Sequence, residues 1–182
     1  MLYLQKYIFM ETKKISTKQT EEEQRELPLP TIDDIAEKIV PYLINKKDWE
    51  YLLIIHLLSD TFLSIQEIID FTGLDMKLRL RWVEGINTNF GLDKKNDEMV
   101  FTNLTRQKVN LKLKKIQRAC GLNDYEPITT HTLRKVGALH KLKKMENEGV
   151  PRIEALRKLQ RELGHYSLES VCKYLGFNYP LK

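Results

Sequence analysis

Four glycines divide the C-terminal half of the chain into helical segments. Gly121, Gly149, Gly164 and Gly176 each follow a stretch of apolar residues at helical spacing. Glycine is a common helix stop, because it adopts the left-handed backbone conformation that closes the last turn. The spacing therefore predicts four helices, which are Thr105 to Ala119, Thr132 to about Glu148, Pro151 to Leu163 and Leu168 to Leu175.

The N-terminal half has further helix signals. A capping pattern at Thr31 and Asp34 predicts a helix through about Ile39, with Pro41 disturbing its end. Apolar residues at helical spacing predict two more helices, Asp48 to Ser59 and Ser64 to Phe71.

The segment that follows points to β structure. Met76 to Ile86 fits either a strand or a helix, Asp93 to Asp97 is typical of a turn, and Met99 to Phe101 is typical of a short strand. We therefore expect a mainly α fold with a small β-hairpin or sheet near residues 78–101. Residues 1–30 are polar and charged and predict a flexible tail, which leaves 31–182 as one domain.

Composition limits the class of protein. The 182 residues are 42% hydrophobic and 30% charged, which is typical of a soluble globular chain. The two cysteines, Cys120 and Cys172, have no metal-like spacing and indicate a reducing compartment rather than a disulfide framework. We expect neither a metal nor a cofactor. No segment resembles a membrane span or a signal peptide, which predicts a cytoplasmic protein without a membrane partner, in a bacterial, archaeal or viral host cell.

The charge is unevenly distributed along the chain. Residues 1–100 hold 13 Lys and Arg against 18 Asp and Glu, whereas residues 101–182 hold 17 against 7. The C-terminal half thus carries a net charge of +10. Charge of this density favours a polyanion, because each neutralised phosphate releases counterions. A solvated helical surface would show the same pattern.

An ordered set of residues lies in this basic half. His131-Thr132-Leu133-Arg134 is followed by Leu163-Gly164-His165, and Tyr174 lies nine residues after His165. This order resembles the C-terminal half of the catalytic domain of tyrosine recombinases, the phage integrase family. The resemblance implies a recombinase-like fold and the breaking and rejoining of double-stranded DNA in integration or site-specific recombination of a mobile element.

Each of these residues has a chemical use on a phosphodiester. The planar guanidinium of Arg134 can bind two phosphate oxygens, and His131 and His165 can donate hydrogen bonds or carry protons. Tyr174 would be the nucleophile that forms a phosphotyrosine intermediate. The resemblance also implies a catalytic lysine on a β-hairpin, for which Lys94 and Lys95 are the candidates.

The resemblance is incomplete upstream. The family has an arginine in an early segment, and the matching position here holds Ser64, with Glu67 matching the family's glutamate. In a second alignment the position holds Asp75. Arg79 or Arg81 could supply the missing cation only by another backbone path.

Two other functions are consistent with the sequence. One is a recombinase fold that binds DNA without cleaving it, as a repressor or replication factor. The other is a winged helix-turn-helix over residues 48–101, in which 76–87 would enter a major groove. We also expect the protein to self-associate on DNA. The candidate DNA contacts are Arg79, Arg81, Lys112, Lys114, Lys115 and Lys135.

The basic half predicts DNA binding that weakens steeply with salt. Charge reversal of Lys112, Lys114 and Lys115 should make the decline of log affinity with log salt less steep. The magnitude of the slope should fall by about 0.9 for each phosphate that is no longer neutralised. Fluorescence anisotropy of a labelled duplex across a salt series measures this slope. An unchanged slope would mean that these lysines only face solvent.

Overall fold

The computed structural model describes residues 27–75 and 98–179, and within them the chain is mainly helical. The first helix, α1, runs through three consecutive segments: Ile32–Asp34, a π-helical Ile35–Ile39, and Val40–Asn45. The remaining described helices are α2 (Trp49–Ser59), α3 (Ile65–Ile69), α4 (Arg106–Ala119), α5 (Thr130–Asn147), α6 (Arg152–Leu163) and α7 (Leu168–Leu175). Among them, none is both long and apolar enough to cross a lipid bilayer.

Helix α1 begins as expected but ends later. The Thr31 hydroxyl accepts a hydrogen bond from the Asp34 backbone, and the Asp34 carboxylate accepts one from the Thr31 backbone. The expected disturbance at Pro41 is wrong as an end point, because the helix continues to Asn45. Proline lacks an N–H and crowds the preceding turn. The wider π-helical turn directly before Pro41 is where the helix departs from α geometry.

Residues 27–30, which the sequence assigned to the tail, lie against the domain. The Pro28 carbonyl accepts a hydrogen bond of 2.9 Å from the Glu126 backbone N–H, and Pro30 is buried. The expected tail boundary is therefore a few residues too late. The rest of that tail, residues 1–26, lies outside the described residues.

Among the described residues, the β structure expected near residues 78–101 is limited to one isolated bridge. Thr72 and Met99 form an isolated antiparallel bridge, flanked by hydrogen bonds from Gly73 N–H to the Glu98 carbonyl and from Val100 N–H to the Phe71 carbonyl. The expected strand over Met99 to Phe101 is reduced to this bridge. Residues 76–97, which would hold the hairpin or the wing and recognition helix, lie outside the described residues.

Helix α5 is the central element. Its buried residues divide between two hydrophobic clusters. Leu133 and Val136 pack into the cluster that α1, α2, α3 and α4 share. Ala138, Leu142 and Met145 pack into the one formed with α6 and α7. Because apolar residues occur around most of its circumference, α5 is typical of a helix buried on several sides.

A glycine lets α5 approach α2 closely. A Cβ atom added to Gly137 would lie 1.8 Å from the Ser59 carbonyl oxygen and 2.6 Å from its carbon. Only a residue without a side chain fits there. The two helix backbones therefore pack in direct contact at this point.

Gly137→Ala should destabilise the domain. A Cβ only 1.8 Å from a backbone oxygen places the overlap in the upper part of the usual range for overpacking, at about 2–3 kcal/mol. This cost outweighs the roughly 1 kcal/mol that alanine gains over glycine inside a helix. We expect the free energy of unfolding in urea to fall by about 1–2 kcal/mol. Lys144→Ala, at an exposed position of the same helix, is the control. An equally stable Gly137→Ala protein would show that the helices are not in contact here.

Candidate active site

Three helices bring the motif residues together. His131 and Arg134 lie on the first turns of α5, where the Thr129 hydroxyl accepts a hydrogen bond from the Thr132 backbone and begins the helix. His165 follows the last turn of α6, and Tyr174 lies on the last turn of α7.

Tyr174 lies between two histidines. Its ring centroid is 4.9 Å from that of His131, with the planes at 87°, and 5.0 Å from that of His165, at 70°. Both contacts are edge-to-face, an arrangement that aromatic rings favour. The Tyr174 hydroxyl lies 3.5 Å from the His131 carbonyl oxygen, which is a long hydrogen bond. Tyr174 is half-buried, so its ring packs on the domain while the side chain keeps contact with solvent.

Arg134 is held in place by two backbone carbonyls. Its Nε donates to the Phe62 carbonyl and its Nη2 to the Leu163 carbonyl, both at 2.7 Å. These bonds use two of the five N–H donors of a guanidinium group. No other hydrogen bond joins the remaining donors to a described residue. Leu163 is two residues before His165, so the same bond joins Arg134 to the turn that carries the histidine.

The loop before α3 reaches Arg134 in a strained conformation. Phe62 has a φ of 56°, a left-handed value that costs about 1–2 kcal/mol for a residue with a side chain. Its ring is buried, and the Lys141 ammonium lies 5.5 Å from the ring centroid. The hydrogen bond from Arg134 and these contacts offset the strain. Nothing in the sequence indicates this residue, because its carbonyl rather than its side chain contacts Arg134.

The turn that carries His165 is fixed at several atoms. Gly164 closes α6 with a φ of 69°, and the His165 N–H donates to the Gln160 carbonyl at 2.9 Å. The Gln160 side chain donates to the Tyr166 carbonyl at 3.1 Å, and the Ser167 hydroxyl caps α7. The Leu-Gly-His sequence thus forms the expected helix stop, and the stop directs His165 toward Tyr174.

The side chains of His131, His165 and Tyr174 have shifted pKa values. Burial lowers the pKa of His131, and the charges of Lys135, Arg134 and His165 lower it further against an opposing effect of Glu126. Burial also lowers the pKa of His165. Burial raises the pKa of Tyr174 to about 12, although the charge of Arg134 acts in the opposite direction. At neutral pH the site therefore holds two neutral imidazoles and a protonated phenol.

The Nδ1 atom of His165 is a buried polar atom without a clear hydrogen-bond partner among the described residues. The backbone of Ser170 is still near enough to raise the pKa of His165, which opposes burial, while Arg134 lowers it.

Both positions aligned with the missing arginine accept hydrogen bonds from nearby backbone N–H groups. The Ser64 hydroxyl accepts a hydrogen bond from the Glu67 backbone, and the Glu67 carboxylate accepts one of 2.7 Å from the Ser64 N–H. The Asp75 carboxylate accepts hydrogen bonds of 3.1 and 2.8 Å from the N–H and hydroxyl of Thr72. Neither side chain carries positive charge, so neither replaces an arginine.

The basic residues chosen from the sequence have different environments. Lys112 forms a 2.8 Å ion pair with Asp48 and lies 5.2 Å from the Tyr51 ring centroid. Lys114 and Lys115 are exposed on α4. Four candidates lie outside the described residues: Arg79, Arg81, Lys94 and Lys95. The last candidate, Lys135, is half-buried beside Arg134.

Within the described residues, no group of three or more His, Cys, Asp and Glu side chains is arranged to hold a metal ion.

Comparisons of the chain with protein-family models, with curated proteins and with solved structures find no match. The interpretation of function therefore depends on the geometry of these side chains.

The shifted histidines predict a pH effect on stability. Because folding lowers both pKa values, the folded domain binds fewer protons than the unfolded chain at and below pH 6.5. Their contribution should therefore destabilise the domain as the pH falls through 6.5 toward the folded values. Side-chain ¹⁵N NMR titrations of His131 and His165 should give pKa values below those of the same residues in urea. Equal values in both states would contradict the burial described here.

Proposed function

We propose that the protein breaks and rejoins double-stranded DNA through Tyr174, as tyrosine recombinases do, in integration or site-specific recombination of a mobile element. The observation that carries the proposal is the placement of the Tyr174 ring between His131 and His165, about 5 Å from each, beside an anchored Arg134. An anchored guanidinium, two proton carriers and a nucleophile are the groups that such a reaction requires.

Arg134 would bind the phosphate. Its hydrogen bonds to Phe62 and Leu163 hold the guanidinium plane in one orientation before any ligand arrives. A preorganised cation loses little freedom on binding and stabilises charge where it develops in the transition state. The donors not used by the carbonyls would contact the nonbridging phosphate oxygens.

The histidines would move the protons. With a pKa of about 12, Tyr174 is almost entirely protonated at neutral pH, so its attack needs a base. A neutral imidazole of His131 or His165 accepts the phenolic proton as the bond from Tyr174 Oη to phosphorus forms. The bond from phosphorus to the leaving sugar oxygen then breaks, and an imidazolium returns a proton to that oxygen. Rejoining reverses these steps.

The charge of the domain favours a DNA partner. The half that holds the site carries a net charge of +10. Exposed Lys114 and Lys115 on α4 would contribute to the counterion release that drives binding to phosphates. A cytoplasmic location and self-association on DNA belong to the same proposal.

A second candidate is DNA binding without cleavage. Ser64 and Asp75, the positions aligned with the missing arginine, accept hydrogen bonds from nearby backbone and carry no positive charge. Loss of one cation beside a reacting phosphate lowers a rate by a factor of about 10²–10³. A repressor or replication factor built on this domain would bind phosphates without the reaction.

A covalent adduct distinguishes the two candidates. The protein is incubated with nicked suicide duplexes whose central sequence is randomised, so that the adduct selects its own site. We expect a denaturant-resistant protein–DNA adduct that Tyr174→Phe abolishes. Tyr166→Phe removes the same atom from a neighbouring, fully exposed tyrosine and should leave the adduct unchanged.

Two results of the adduct assay would contradict cleavage through Tyr174. If the wild-type protein shifts the same duplexes in a native gel but forms no adduct, the domain binds DNA without cleaving it. An adduct that survives Tyr174→Phe would place the nucleophile elsewhere.

A further inference from the structure

Lys135 extends from α5 toward the end of the helix that carries Tyr174. A Cβ atom placed on Gly176 would lie 3.9 Å from the Lys135 Nζ atom. Gly176 is the residue that ends α7, two positions after Tyr174. The ammonium group thus lies near the C-terminal end of α7. In the sequence, Lys135 directly follows Arg134.

The charge of Lys135 is not neutralised by a described residue. Several other lysines of the domain have carboxylate partners, as Lys112 has Asp48, Lys141 has Glu162, and Lys38 has Asp34. Among residues 27–75 and 98–179, no carboxylate forms an ion pair with Lys135, although its side chain is half-buried. An unpaired, partly desolvated cation attracts an anion more strongly than one fully in water.

The positive charge of Lys135 also affects His131. After burial, Lys135 has the largest effect among the causes that lower the pKa of His131. The His131 ring contacts Tyr174. The ammonium therefore acts on His131, which is one of the groups that would surround a bound phosphate.

The site needs a second cation. Arg134 gives two donors to backbone carbonyls, and a phosphodiester that gains a fifth ligand concentrates negative charge on its nonbridging oxygens. We propose that Lys135 supplies the second cation that binds the phosphate at Tyr174, an inference that rests on the proposed function.

A structural role for Lys135 must be separated from this one. A lysine near a helix C-terminus is favoured by the helix dipole, and Lys135 lies near the end of α7. Lys135→Met removes the charge and keeps most of the side-chain length. A purely structural lysine would change the melting temperature without changing the affinity for an anion.

The test uses inorganic phosphate as the probe and the full chain as the protein. Side-chain ¹⁵N signals of His131 and His165 are followed as phosphate is added. Lys135→Met should weaken phosphate binding about tenfold, as expected for loss of one charge-assisted hydrogen bond, and Lys135→Arg should restore most of it. Lys144→Met is the matched control, because it lies on the same helix roughly 13 Å away along the axis and is exposed.

The adduct assay gives an independent measure. Lys135→Met should slow adduct formation by about 10²-fold, whereas Lys144→Met should not. Phosphate binding that depends on Lys135 without any adduct in the wild type supports the assignment of Lys135 and overturns only the proposed cleavage. Equal phosphate affinity in Lys135→Met and Lys144→Met, or no histidine shift with phosphate in the wild type, overturns the assignment.

Discussion

The close contact between Gly137 and Ser59 is the constraint on which the site depends. It brings the backbone of α5 against the end of α2, where a side chain on Gly137 would overlap Ser59. Arg134 lies almost one turn before Gly137, and Phe62 lies three residues after Ser59. The helix contact therefore sets the distance over which the Arg134 Nε reaches the Phe62 carbonyl. A wider separation of the helices would move Arg134 away from this partner.

Arg134 also contacts the part of the site formed by α6 and α7. Its second hydrogen bond goes to the Leu163 carbonyl at the end of α6. The turn that follows directs His165 to Tyr174, and His131 on α5 contacts the same ring. Positions on three helices are thus related through one guanidinium group. Arg134 consequently stabilises the fold and orients the proposed phosphate contact with different donors of one side chain.

Local signals in the sequence predicted much of this arrangement. Thr31, Gly164 and Gly176 begin or end helices as expected, because capping depends on the chemistry of a few adjacent residues. The order of His131, Arg134, His165 and Tyr174 indicated residues that the fold brings together. A glycine inside the pattern of α5 was the available signal for the contact at Ser59.

Tertiary contacts account for what the sequence could not predict. The helix passes Pro41 through a π-helical turn, which no local propensity encodes. Lys112 pairs with Asp48, a residue 64 positions earlier in the chain, so its availability to DNA depends on packing between helices. The partners of Arg134 are backbone carbonyls, and every residue has one, so the identity of Phe62 and Leu163 carried no signal.

We infer that the histidines, Arg134 and Tyr174 form one anion site. The most direct measurement is a crystal structure of the protein grown with orthovanadate, which takes the geometry of a phosphate under attack. We expect vanadate to be bound to Tyr174 Oη, with Arg134 and at least one of the two histidines within hydrogen-bonding distance of its oxygens. Vanadate absent from this position, with the remaining donors of Arg134 bonded to other protein groups, would contradict an anion site here.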